Sequence, residues 1–241
     1  MTPTVATGRR RKQLQVAVEG VRRARPATRQ RQGDPDLLDL LADPYEAVDE
    51  THARLRDLLH AFEAREDRRA VFLSVYARMT GSVAERIRDG GFADPTWVGE
   101  YLVAFANLYR AAVYDYEAGD LGSLADPWQL AFEAAERGDA LVVQDAALGV
   151  NAHINYDLAL TLEQVGVGPN RQQRYADHHA VTDVIREILD ESQDALAARD
   201  APGLATLDAS MGRVDEWLTT TSIDGCRTSA WRTAVAMNSR F

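Results

Sequence analysis

Asn151, His153, Asn155 and Asp157 stand close together inside Leu141–Val165, one of the most apolar stretches of the chain. The stretch carries apolar residues on nearly every side at helical spacing, which marks a buried helix. Buried polar side chains need partners, because an unpaired one costs about 2 kcal/mol or more. His153 and Asp157 are spaced i, i+4 and share one face, and Asn151 and Asn155 share roughly the opposite face. A His–Asp pair at this spacing supports two kinds of chemistry. His153 can act as a general base with Asp157 orienting its ring, or both can ligate one ion such as zinc. The asparagines add donors and acceptors that can position a substrate oxygen. The competing reading is a neutral histidine hydrogen-bonded to an aspartate, knitting helices together.

A second polar knot lies at Asp177-His178-His179, followed by Thr182 and Asp183. If its helix packs beside the apolar one, Asp177 is a third candidate metal ligand beside His153 and Asp157. The alternative is that Asp177 is a helix cap. Asn107 and Tyr109 fall on an otherwise apolar helix and are candidates for lining a pocket. Arg227 and Trp231, spaced i, i+4 near the C-terminus, are further substrate-binding candidates, with Arg227 able to pair with a buried acid. His52 and His60 sit on a charged amphipathic helix and have ordinary surface roles. The set Trp97, Tyr101, Phe105, Tyr109 and Tyr116 fits core packing better than a ligand box.

The elements that must hold these residues are all helical. Asp34-Pro35, Asp43-Pro44, Asp94-Pro95 and Asp126-Pro127 each read as a capping carboxylate before a proline at the first helical position. Apolar stripes then predict helices to about Ala64, over Arg68–Asp89, Trp97–Ala118, Trp128–Arg137, Leu141–Val165, Gln172–Arg199, Pro202–Thr219 and Ile223–Met237. Gly90-Gly91, Gly119, Gly138 and Gly166 supply the stops. No run has strand periodicity, and short connections favour one multi-helix domain over residues 34–241, with about eight helices around the central apolar one.

Composition narrows the function. Residues 1–33 hold nine basic side chains and one acid, while the remainder holds 18 basic and 36 acidic residues. The arm reads as a solvated, flexible tail, and the acidic body is a poor nucleic-acid surface. A single cysteine, Cys226, allows no internal disulfide and fits a cytoplasmic location. Transmembrane, signal-peptide, Walker, dinucleotide, nucleophile-elbow and His-Glu-x-x-His patterns are absent.

Three segments come in order: Val71–Thr80, Phe92–Val98 with Phe105–Tyr109, and Leu148–Leu158. Together with Arg227 and Trp231, they resemble an uncharacterised bacterial all-helical family, a domain of unknown function. The resemblance spans roughly residues 40–238, and its most specific part is Asn-Ala-His-Ile-Asn-x-Asp-Leu at 151–158. It implies a site at this helix without implying a reaction. Asp177 matches a family position, while His178 and His179 depart from it. A fainter similarity, to zinc-dependent phospholipase C and single-strand nucleases, rests on His153-x-x-x-Asp157 alone. Their N-terminal Trp ligand and most of their histidines are missing, so it implies one divalent ion and not three.

These readings converge on a small-molecule enzyme with an apolar helical pocket centred on His153 and Asp157. Its chemistry is expected to be cyclisation or isomerisation in natural-product assembly, or hydrolysis assisted by one metal ion. The alternative is a non-catalytic ligand-binding or scaffold domain in which the pair is structural.

Overall fold

The computed structural model describes residues 33–168, 170–197 and 223–238, and these form an all-α protein. The expected helix at Pro202–Thr219 and all of the basic arm except Gly33 lie outside the described residues. The helices are α1 (Pro35–Leu41), α2 (Val48–Glu63), α3 (Arg69–Arg88), α4 (Pro95–Ala118), α5 (Asp126–Arg137), α6 (Val142–Ala152), α7 (Leu158–Val165), α8 (Arg171–Ala197) and α9 (Ile223–Asn238). Residues His153–Asp157 form a π-helical turn that joins α6 to α7 without a break. Among the described residues no helix is long and apolar enough to cross a membrane.

Two of the four Asp-Pro signals work as expected. Asp34 accepts from the Asp36 N–H at 3.0 Å, and Asp94 accepts from the Trp97 N–H at 3.1 Å. At α5 the capping residue is Ala125, which moves Asp126 into the first helical turn, where its charge meets the positive end of the helix dipole. Asp43-Pro44 starts no helix. The chain stays extended to Ala47 because Tyr45 turns inward to 3% exposure. The amide of Asn107 holds both the N–H (2.8 Å) and the carbonyl (2.9 Å) of Tyr45. The Arg54 guanidinium donates to the carbonyls of Leu40, Asp43 and Pro44 and lies 4.6 Å over the Tyr45 ring. Gly119 and Gly138 end α4 and α5 in the left-handed conformation, as their positions predict.

The continuous α6–π–α7 rod is central, as its apolar composition requires. α6 packs on α3 and α5, and α7 packs on α4 and α9. Buried side chains form two clusters. One surrounds Trp97, Tyr101, Leu158, Leu162 and Trp231, and the other surrounds Phe62, Tyr109, Trp128 and Phe132. Phe105 and Val150 pack against both, so the π turn lies where the two halves of the core meet.

α6 reaches α3 closely because residue 149 is glycine. A Cβ built there would lie 2.6 Å from the Phe72 ring, well inside contact distance. Gly149→Ala gains up to about 1 kcal/mol of helix propensity but must displace Phe72, an overpacking cost of about 1–3 kcal/mol. The expected outcome is a net loss of stability in urea denaturation. Unchanged or increased stability would show that Phe72 gives way freely.

Candidate functional site

The π turn is what brings the pair Ala152–His153 and the pair Asp157–Leu158 into the core together. Ala152 and His153 are buried, and so are Asp157 and Leu158, five residues further on. In a regular α-helix, positions five apart point about 140° away from each other. The wider π turn returns them to one side, and the Leu158 N–H bonds back to the His153 carbonyl to close it. After it the spacing reverts to four, with Thr161 and Leu162 buried.

His153 is 3% exposed and Asp157 is 2% exposed. Asp157 Oδ2 accepts from the indole Nε1 of Trp128 at 2.9 Å and stands 2.9 Å from His153 Nδ1. An indole N–H only donates, so Oδ2 is the acceptor of both bonds and Nδ1 carries the imidazole proton. Nε2 is thereby left with its lone pair, and it has no hydrogen-bond partner although it is buried. Aromatic rings enclose the imidazole. Phe105 stacks on it with centroids 3.6 Å apart and planes at 11°, and Tyr76 meets it edge-on at 4.4 Å. Burial pushes the His153 pKa below its ordinary value, although Asp157 pulls the other way, so the ring is a neutral base.

His153 forms part of the wall of a cavity of about 90 Å³ enclosed by α3, α4, the π turn, α8 and α9. By this measure one water needs about 10–15 Å³. The lining is almost wholly apolar, with Val75, Met79, Val98, Leu102, Ile154 and Val181 prominent, and the few polar groups include Thr80, Tyr101, His153 and Arg227.

The structure sorts the other candidates. Arg227 lines this cavity, with 2% exposure. It does not pair with Asp157. Its Nε donates to Thr182 Oγ1 (2.8 Å), and its Nη2 donates to the His178 carbonyl (3.0 Å), His178 Nδ1 (3.3 Å) and Tyr101 Oη (3.3 Å). Asn151 and Asn155 are exposed and bond to each other at 2.9 Å, so they stand on the surface of the rod and not in the pocket. Helical spacing sets them opposite His153, on the side of the rod that faces away from the core. Asn107 is occupied by Tyr45 and borders an open groove on another face. Tyr109 is fully buried beside Trp128, away from the cavity wall, and its hydroxyl has no partner. Trp231 packs on Trp97, Tyr175 and His178 as core.

Asp177 neither caps its own helix nor approaches a metal site. Its two carboxylate oxygens accept from the Ala93 and Asp94 N–H groups, each at 2.8 Å, and so tie α8 to the turn before α4. Among the described residues no three His, Cys, Asp or Glu side chains are grouped to hold a metal ion. Asp183 is exposed and paired with Arg186, so the second knot does not face the first. His178, by contrast, is fully buried, and burial together with the neighbouring Arg227 charge holds its pKa well below the ordinary value. Its Nε2 donates to the Arg227 carbonyl at 3.2 Å, leaving Nδ1 as an acceptor.

Two partners escaped the sequence reading. Trp128 was read only as the first residue of a short helix, and Phe105 only as core. The i, i+4 pairs Tyr76–Thr80 and Tyr101–Phe105 were the available signal for the cavity wall.

The family model described as "Family of unknown function (DUF5995)" matches residues 48–240. The chain belongs to this family. No curated protein and no solved structure matches it. The DUF5995 match covers every residue of the cavity wall named above, including Arg227.

Both buried histidines have lowered pKa values, which fixes the sign of a pH effect. Below about pH 6.5 the unfolded chain binds protons that the folded chain refuses, so stability is full above that pH and falls as pH drops. The slope approaches about 1.4 kcal/mol per pH unit for each histidine. Urea denaturation is expected to show a loss of about 1–3 kcal/mol between pH 7.5 and 5.5. His178→Asn should flatten the profile, and a flat profile in the unaltered protein would contradict neutral burial of both rings.

Proposed function

We propose that this chain is an enzyme that moves a proton on a small, largely apolar molecule, an isomerisation or cyclisation step with His153 Nε2 as the base. One observation carries the reading. A buried imidazole nitrogen, with its lone pair exposed by an Asp157-fixed tautomer, has no partner among the described residues and belongs to a residue on the wall of an apolar cavity. A core histidine that serves packing alone is expected to have both nitrogens satisfied. A positioned base of this kind contributes about 10²–10⁴-fold to a proton transfer. His153 is the catalytic residue in this reading. Asp157 and Trp128 act through it as positioning residues.

Hydrolysis through one metal ion fits less well. Asp157 Oδ2 is engaged with Trp128 and with His153 Nδ1, and among the described residues no third ligand stands by. The scaffold reading has its own support, since Asp157 links α5 to the π turn through Trp128 and aromatic rings pack around His153.

Deuterium uptake next to the carbonyl of pentan-2-one in D₂O, followed by NMR, separates the two. The enzyme reading expects catalysed uptake that falls by about 10²-fold in His153→Gln with little change in stability. Asp157→Asn should lower the rate and change its pH profile, because Asn can present either an oxygen or an amide N–H to Nδ1 and no longer fixes the tautomer. Uptake no faster than buffer, with both variants several kcal/mol less stable, would leave only the structural role.

A further inference from the structure

The polar end of the cavity carries a charge that no described residue balances. Arg227 is almost fully buried, yet among the described residues no carboxylate lies within ion-pair distance of it, and its acceptors are a carbonyl, two hydroxyls and the Nδ1 of a neutral histidine. Nη1 makes no hydrogen bond to a described residue. The fold's other deeply buried guanidinium shows the ordinary solution. Arg69 is held between Asp67 at 2.5 Å and Glu117 at 2.6 Å. A buried cation is normally paired with an anion, and the groups around Arg227 cannot supply one. His178 is held neutral, and Thr182 and Tyr101 are hydroxyls, the tyrosine with its pKa raised by burial. The nearest carboxylate along the helix, Asp224, is engaged with Arg186 at the surface.

We infer that the cavity receives a short apolar carboxylic acid as its anion, with Arg227 binding the carboxylate and the hydrocarbon lying against Met79, Val181 and Ile185. This names the substrate class of the site proposed above and rests on that reading. A guanidinium suits a carboxylate because two N–H groups can meet its two oxygens. The size follows from the volume. An apolar cavity of about 150 Å³ holds benzene, so this smaller one sets a chain of about five carbons as the upper limit, reached only if the adaptable Met79 side chain moves aside.

Three five-carbon probes differing only in the head group test the inference by NMR titration of the whole protein at pH 8. Pentanoate is expected to bind at least about tenfold tighter than pentan-1-ol, and pentylammonium not measurably. Arg227→Met should erase the preference for pentanoate while pentan-1-ol binding is retained, and Arg227→Lys should keep part of it. If Arg227→Met fails to fold, the ratio of pentanoate to pentan-1-ol in the unaltered protein decides alone. Equal binding of acid and alcohol, or undiminished pentanoate binding in Arg227→Met, overturns acid recognition and leaves the apolar pocket standing. Failure of every probe to bind removes the pocket as well.

Discussion

The structure depends on one hydrogen-bonded unit, Trp128 Nε1 to Asp157 Oδ2 to His153 Nδ1, placed where solvent does not reach. A carboxylate in such surroundings is unfavourable unless donors surround it. Meeting that demand fixes α5 against the central rod, sets the imidazole tautomer, and leaves the second ring nitrogen bare. Removing either donor would leave an acceptor unmatched in an aromatic cage. The unit is therefore cooperative, and its parts do not carry separable energies. Its cost is offset by the aromatic rings that pack around it, above all Phe105 and Tyr76.

The π turn is the backbone counterpart of that unit. An α-helix passing through the same place would keep His153 beside Asp157 but turn Ala152 about 140° from Asp157 and His153 about 140° from Leu158. Widening one turn reconciles the two. Asn151 and Asn155 stay on the outside, where they bond to each other and leave the cavity apolar. π turns inserted in α-helices occur often at functional sites, and here the reason is geometric, because the turn lets two consecutive-pair positions face one space.

Much of this was legible in the residues. Helix order followed from Asp-Pro caps, apolar stripes and glycine stops, because those signals act within a few residues. The importance of residues 151–158 followed from polar groups in an apolar run, because burial of such groups is rarely idle. Three things were not legible. Spacing at about 100° per residue hides the π turn, and although it sets Asn151 and Asn155 on the face opposite His153, the apolar residues all round the rod make that face read as buried when it is exposed. Asp43-Pro44 has a capping sequence, but Asn107 and Arg54, more than ten residues away in the case of Arg54 and far more for Asn107, hold the chain extended. Asp177 and Arg227 carry the right chemistry for a site, and only tertiary contacts show that one serves a backbone turn and the other a cavity.

The strongest argument for function is that three unfavourable features coincide. A void of about 90 Å³ costs about 2 kcal/mol at about 24 cal/mol per Å³. An unsatisfied buried acceptor at His153 Nε2 costs about 1–3 kcal/mol, and a guanidinium with no counter-charge among the described residues costs several more. Proteins tolerate one such feature through chance packing. Elsewhere single features of this kind occur, such as the unpartnered hydroxyl of Tyr109, while close packing fills the Gly149 contact with Phe72 and two acids pair Arg69. At the cavity all three remain, on residues that line the same space. A single occupant with an apolar body, a group that gives up or shares a proton, and an anionic head would relieve all of them together. In the proposed reading the base of His153 and the guanidinium of Arg227 are complementary to two ends of one ligand, which is why their shared apolar wall matters as much as either group.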